Sequence, residues 1–259
     1  MKDIEKRHID NNDNNRSFSI RYDKDLWFCI SATFGLLIYA GISLYISFIS
    51  DFKLFVWHPI LMSLMVLLST LGTIVLQKAA TRHEKAQNLF YHKITQISNL
   101  ICFVVGFVIA YYKKSIGGKT HFKTYHAKFG LAAFILYIIQ LMAGLTLIYF
   151  PSLLGGISRS KKYYKHHRFI GYTNLALILL SATTSTQANW TKTRFNQDWI
   201  WVVSFGMILI GIIGRINLNK IKICNINWNF SSIPDLSQYI PVYNQRNQIN
   251  QPIRDGLLA

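Results

Sequence analysis

The chain has 259 residues, of which 51% are hydrophobic, 14% aromatic and only 15% charged; 28 Lys+Arg face 11 Asp+Glu, for a formal net charge of +17. An average soluble domain is about 25% charged, and so apolar a composition excludes a disordered chain, a disulfide scaffold and a collagen-like fibre. A basic balance of this size admits nucleic-acid binding, so the placement of the charges has to decide.

In chain order, residues 1–25 are polar and predict an N-terminal tail with no cleavable signal peptide, because the first apolar run is already of full membrane length. Charge then disappears in six blocks: residues 26–50, 54–77, 94–112, 129–150, 169–191 and 199–214. About 20 apolar residues in a helix cross a hydrocarbon core of about 30 Å, so the pattern predicts an all-α integral membrane protein, a six-helix bundle over residues 26–215. The fifth run is rich in Ser and Thr in its second half, and the sixth is the shortest. Residues 216–259, rich in Asn, Gln and Ser, read as a loose cytoplasmic C-terminal tail.

With six spans both termini share a side, and the basic residues say which. The tails and the second and fourth loops hold 19 of the 28 Lys+Arg, the first, third and fifth loops 7. The excess places both termini in the cytoplasm. The charge is thus mainly a topology signal in a lipid bilayer, and no nucleic-acid module lies in the polar segments. Cys29, Cys102 and Cys224 form no motif, and two of them lie inside apolar runs, where cysteine is usually a small buried hydrophobe.

Ionisable groups inside a membrane are rare and usually functional. Of the eight His, His8 and His83 lie in polar segments. The others cluster at the beginnings of the second to fifth spans: His58, His92, His126, His166 and His167, with His121 five residues before His126. Alternating direction puts His58 and His126 at the outer level and His92 and His167 at the inner one. Two imidazoles facing each other inside a bundle are a ready ligand pair for haem iron. Zinc competes poorly, for two histidines without a nearby carboxylate or thiolate make an incomplete zinc site. Gly130 and Gly171, one turn beyond His126 and His167, are expected to leave room for a flat ring, and that spacing favours His167 over His166 as the ligand.

The stretches Trp57-His58-Pro59-Ile60-Leu61-Met62, Tyr91-His92, the segment 118–126 ending in Tyr125-His126 and followed by Gly130-Leu131, and His167-Arg168-Phe169-Ile170-Gly171-Tyr172 resemble those of the cytochrome b561 family. The resemblance is closest to its branch of six-helix core proteins. It implies two b-type haems per chain, on the pairs His58/His126 and His92/His167. It also implies electron transfer from cytoplasmic ascorbate to monodehydroascorbate or a ferric chelate across the membrane. Many members carry lysines in the turn before the third span; here that turn reads Gln87-Asn88-Leu89-Phe90-Tyr91, and Lys85 and Lys78 stand as counterparts for donor binding. On the outer side His121, between Lys119 and Lys123, is a candidate for acceptor or haem-propionate contact. Two other readings use the same histidines: a haem-binding anchor that passes electrons to a partner protein, and a haem-free transporter. Endomembrane (endoplasmic reticulum or vesicle) and plasma membrane both suit the chain, and a homodimer is among the assemblies open to it.

Overall fold

A computed structural model describes the backbone of residues 2–51, 53–77 and 82–216, with side chains within 25–51, 53–76 and 83–216. Its elements in order are α1 (Lys2–Phe48), a 3-10 turn (Leu54–Val56), α2 (Trp57–Gln77), α3 (Arg82–Ile116), α4 (Tyr125–Tyr149), a second 3-10 turn (Pro151–Leu154), α5 (Ile157–Ser185), the one-turn α6 (Asn189–Lys192) and α7 (Asp198–Ile213). Among the described residues all regular structure is helical, as a bilayer without water to satisfy stray backbone groups demands. The tail predicted for 216–259 lies, beyond Ile216, outside the described residues.

Four helices are long and apolar enough to cross a membrane unaided: Asp25–Phe48, Leu54–Leu76, His83–Ile116 and Tyr125–Tyr149. The fifth and sixth predicted spans fall short for different reasons. α5 begins with cationic turns and ends in a Ser/Thr-rich stretch; α7 is apolar throughout but has only 16 residues. Both are carried by their partners, α5 by α4 and α7 by α1. The chain is a multi-pass membrane protein built as an all-α bundle.

Three antiparallel pairs build it: α1 with α7, α2 with α3, and α4 with α5; α1 also packs on α2, and α5 touches α2 and α7. The α1–α7 pair is held by small residues and hydroxyls, the usual means in lipid, where burying apolar surface gives helices no reason to associate. Ser31 Oγ donates to Met207 O at 3.0 Å and Ser204 Oγ to Gly35 O at 2.8 Å. A side chain at Gly35 would fall 2.6 Å from Ser204 O, so only glycine lets the two backbones approach this closely. Tyr39 packs against the rings of Trp201 and Phe205 at centroid distances of 5.8 and 5.3 Å, extending the core toward α2. At one end of the bundle Arg215 reaches Asp25 O at 3.2 Å and Ile74 O at 3.5 Å, tying the start of the membrane-length part of α1 to the ends of α2 and α7.

Candidate functional site

His58 is the second residue of α2 and His126 the second of α4. The entry to α4 is fixed by Thr124, whose side chain accepts from Ala127 N at 3.2 Å, a standard helix cap. The two imidazoles face each other with centroids 6.1 Å apart and planes 80° apart. Each is oriented by a backbone carbonyl. His58 Nδ1 donates to Gly106 O at 2.8 Å and His126 Nδ1 to Ser181 O at 2.9 Å. A carbonyl can only accept, so the proton sits on Nδ1 and Nε2 keeps its lone pair. Between and beside the rings lies a cavity of about 150 Å³, walled by Phe55, Met62, Phe107 and Gly130 and reaching Lys114 and His121.

His92 and His167 do not open their helices as expected. α3 and α5 begin at Arg82 and Ile157, so each histidine stands ten residues in. The physical reason is that the polar, cationic turns before them remain helical without being membrane-apolar. His92 Nδ1 donates to Gly72 O at 3.0 Å. His167 packs on α4, where a side chain added at Gly144 would sit 3.0 Å from its Cε1. It lies within electrostatic reach of His92, and its Nδ1 is buried with no hydrogen-bond partner. His166 turns away, into an open cup with Arg159, Lys162, Tyr163 and Lys165.

A register relates all four histidines. Gly72, Gly106, Gln140 and Ser181 each lie fourteen residues beyond the histidine of their own helix, and each meets the histidine of the antiparallel neighbour. In the fourth case the contact runs from Gln140 Nε2 to the His167 carbonyl. Fourteen residues at about 1.5 Å each put the two levels about 21 Å apart along the helices. The space between is filled by aromatic rings: Phe103 lies 5.0 Å from Phe134 and 5.9 Å from Tyr137, and Phe107 stacks on Phe134 at 4.9 Å.

The glycines expected to clear a flat ring do something more local. A side chain at Gly130 would meet Ser181 Oγ at 3.2 Å, and one at Gly171 would meet Gln140 Nε2 at 3.1 Å. Gly171 thus accommodates a glutamine; Gly130 also borders the cavity between His58 and His126. His121 stacks on Tyr111 at 4.3 Å, with Nε2 3.2 Å from Ser115 Oγ, at the edge of that cavity. Lys85 is exposed on α3, and Lys78 lies outside the described residues. Lys114, Ser181, Gln140, Gly72 and Gly106 were not singled out from sequence; the fourteen-residue spacing was the signal that would have found the last four. Among the described residues no group of three or more His, Cys, Asp or Glu converges, so each level offers imidazoles alone.

A multi-pass helical bundle with facing imidazoles between its spans defines a class of membrane protein that presents histidines inside a bilayer. The family described as eukaryotic cytochrome b561 matches residues 57–192, just over half the chain, from α2 through α6. The chain belongs to this family of haem b-binding transmembrane electron-transfer oxidoreductases. It is similar to the protein named transmembrane reductase CYB561D2 of Bos taurus, 28% identical over 154 residues, which are 55% of this chain and 68% of that protein. It is also similar to the protein of the same name in Mus musculus, 30% identical over 129 residues, which are 46% of this chain and 56% of that protein.

Proposed function

We propose that the chain carries electrons between two b-type haems, one held by His58 and His126 and the other by His92 and His167. The observation that carries this reading is the 6.1 Å separation of the His58 and His126 rings, with both Nδ1 atoms bound to carbonyls. Two metal–nitrogen bonds of about 2.0 Å plus half of each ring give about 6 Å. Fixing Nδ1 to a carbonyl is also how proteins set the tautomer and tilt of a metal-ligating imidazole. The residues at the His58/His126 level therefore fit the group.

Haem b held by these histidines would supply one-electron reduction and reoxidation. The chain's own residues do the rest. Gly72, Gly106 and Ser181 orient the imidazoles, and the rings of Phe103, Phe107, Phe134 and Tyr137 exclude water from the interval between the levels. The His92 level faces the cytoplasm, where ascorbate is the donor. The cations Arg159, Lys162 and Lys165, with Lys85 and Lys78, attract that anion and the haem propionates. At the His58 level Lys114 and His121 stand where an anionic acceptor, monodehydroascorbate or a ferric chelate, approaches. An electron leaving a negative cytoplasm gains about 2.3 kcal/mol per 100 mV if it crosses the full potential. Outward flow is the driven direction.

The test is a visible difference spectrum of the purified protein, reduced with ascorbate and then reoxidised with a ferric chelate. Sharp low-spin b-type bands that appear with the first and vanish with the second are expected. A colourless preparation made with ample haem supply would remove the reading altogether. Bands that ascorbate leaves oxidised would remove the donor.

A further inference from the structure

Three of the four histidines have their Nδ1 proton taken by a carbonyl of the neighbouring helix; His167 does not. Its Nδ1 is buried and unpartnered. The residue that stands in the carbonyl's place by register, fourteen beyond His126, is Gln140. The Gln140 amide lies against α5: its Nε2 donates to the His167 carbonyl and occupies the space that a side chain at Gly171 would need. Its Oε1 is also buried and also unpartnered. One donor and one acceptor are therefore left over, on two residues already in contact.

Deepening the two-haem reading, on which it rests, we infer that Gln140 is the positioning residue of His167: with haem bound, Gln140 Oε1 accepts the proton of His167 Nδ1. The amide is held by its nitrogen, so only the oxygen end has to settle toward the ring. The register supports the assignment, because α4 uses a side chain where α2 and α3 use a bare glycine carbonyl. Buried polar atoms in a membrane interior find partners wherever a partner is in reach. An acceptor on Nδ1 makes the imidazole a more basic ligand, which favours the oxidised iron and lowers its potential. Gln140 would then set the potential of one haem and leave the other alone.

The test uses the full-length holoprotein, with the two haems told apart by which signal His92→Ala removes. Gln140→Leu is expected to raise the midpoint potential of the His92/His167 haem so that its reduced-to-oxidised ratio at fixed poise rises about tenfold, or about 59 mV for one electron. The His58/His126 haem should not move. Its low-spin EPR signal should also be unchanged, while that of the other haem shifts. An unchanged potential with both haems retained overturns the inference, as does an equal shift of both haems, which would mark a general structural effect. If Gln140→Leu loses the haem, Gln140→Met decides, because it has nearly the same length and lacks the carbonyl. Loss or an upward shift confined to the His92/His167 haem supports the role, and normal binding at the original potential overturns it. A wild-type preparation without haem would instead sink the two-haem reading beneath it.

Discussion

The α2–α3 and α4–α5 hairpins solve one problem with opposite arrangements. In each, the residue four beyond one histidine meets the residue fourteen beyond the other. In α2–α3 the large member is at the four position and the glycine at the fourteen: Met62 against Gly106, Gln96 against Gly72. In α4–α5 the glycine is at the four position and the side chain at the fourteen: Gly130 against Ser181, Gly171 against Gln140. The consequence is chemical. A glycine at the fourteen position lets the helix backbone come close enough to accept the imidazole proton itself. A side chain there puts the imidazole's surroundings under the control of one residue, and Ser181 and Gln140 exercise that control differently. Ser181 still offers its backbone carbonyl at 2.9 Å, whereas His167 lacks a carbonyl partner.

The largest expected effect breaks the comparison outright. His92→Ala or His167→Ala should lower the haem-to-protein ratio from about two to about one and leave the His58/His126 haem in place; a pyridine haemochrome assay against protein mass checks it. A ratio still near two would separate these histidines from haem binding. His166→Ala is the control, since that ring faces the surface cup, and its ratio should stay near two.

The next effect tests the glycine side of the contrast. At Gly72 an added side chain would fall 2.6 Å from Thr95 Oγ1 and 2.8 Å from Gln96 Nε2. Thr95 cannot yield easily, because its hydroxyl is bonded to Tyr91 O and His92 O at 2.9 Å. Gly72→Leu should therefore push α2 and α3 apart, cost about 1–3 kcal/mol as overpacked interiors do, and weaken the His92 contact to Gly72 O. A lower thermal midpoint in detergent with selective loss of the His92/His167 haem is the expected pair of readings; an unchanged midpoint would show that the hairpin tolerates the wedge.

Much of this was legible in the sequence. The first four apolar runs lie in membrane-length helices, and alternating span direction alone pairs His58 with His126. Positions along the helices were less legible. His92 and His167 read as helix starts because the charge pattern marks where lipid begins, while the helical hydrogen bonds of α3 and α5 begin ten residues earlier. The partners of the histidines were hidden for another reason. A glycine acting through its carbonyl has no side chain to announce it, and Gln140 and Ser181 each lie nine residues beyond the last motif residue of their helix, Leu131 and Tyr172. Gly171 shows the same limit: the sequence tells that space is left beside His167, and only the packing tells that an amide fills it.

The smallest effect separates backbone from side chain within α4–α5. The His126 ring meets Ser181 twice, through the carbonyl at 2.9 Å and through Oγ at 3.2 Å, and Ser181 Oγ also donates to His126 O at 3.2 Å. If the carbonyl orients the ring, Ser181→Ala should leave the haem ratio near two and shift the thermal midpoint by less than roughly 1 kcal/mol of stability, the net worth of one ordinary hydrogen bond. Gly130→Ala places its new methyl 3.2 Å from the same hydroxyl, tight enough that the Ser181 side chain must give way. Residues in contact couple by about 0.5–3 kcal/mol in double-mutant cycles, and here the sign is fixed in advance. Gly130→Ala should be destabilising alone and milder in the Ser181→Ala background, because the atom it strikes is gone. Additive effects would mean that the cavity wall at Gly130, rather than the α4–α5 contact, sets the cost, and the symmetry drawn between the two hairpins would then stop at their backbones.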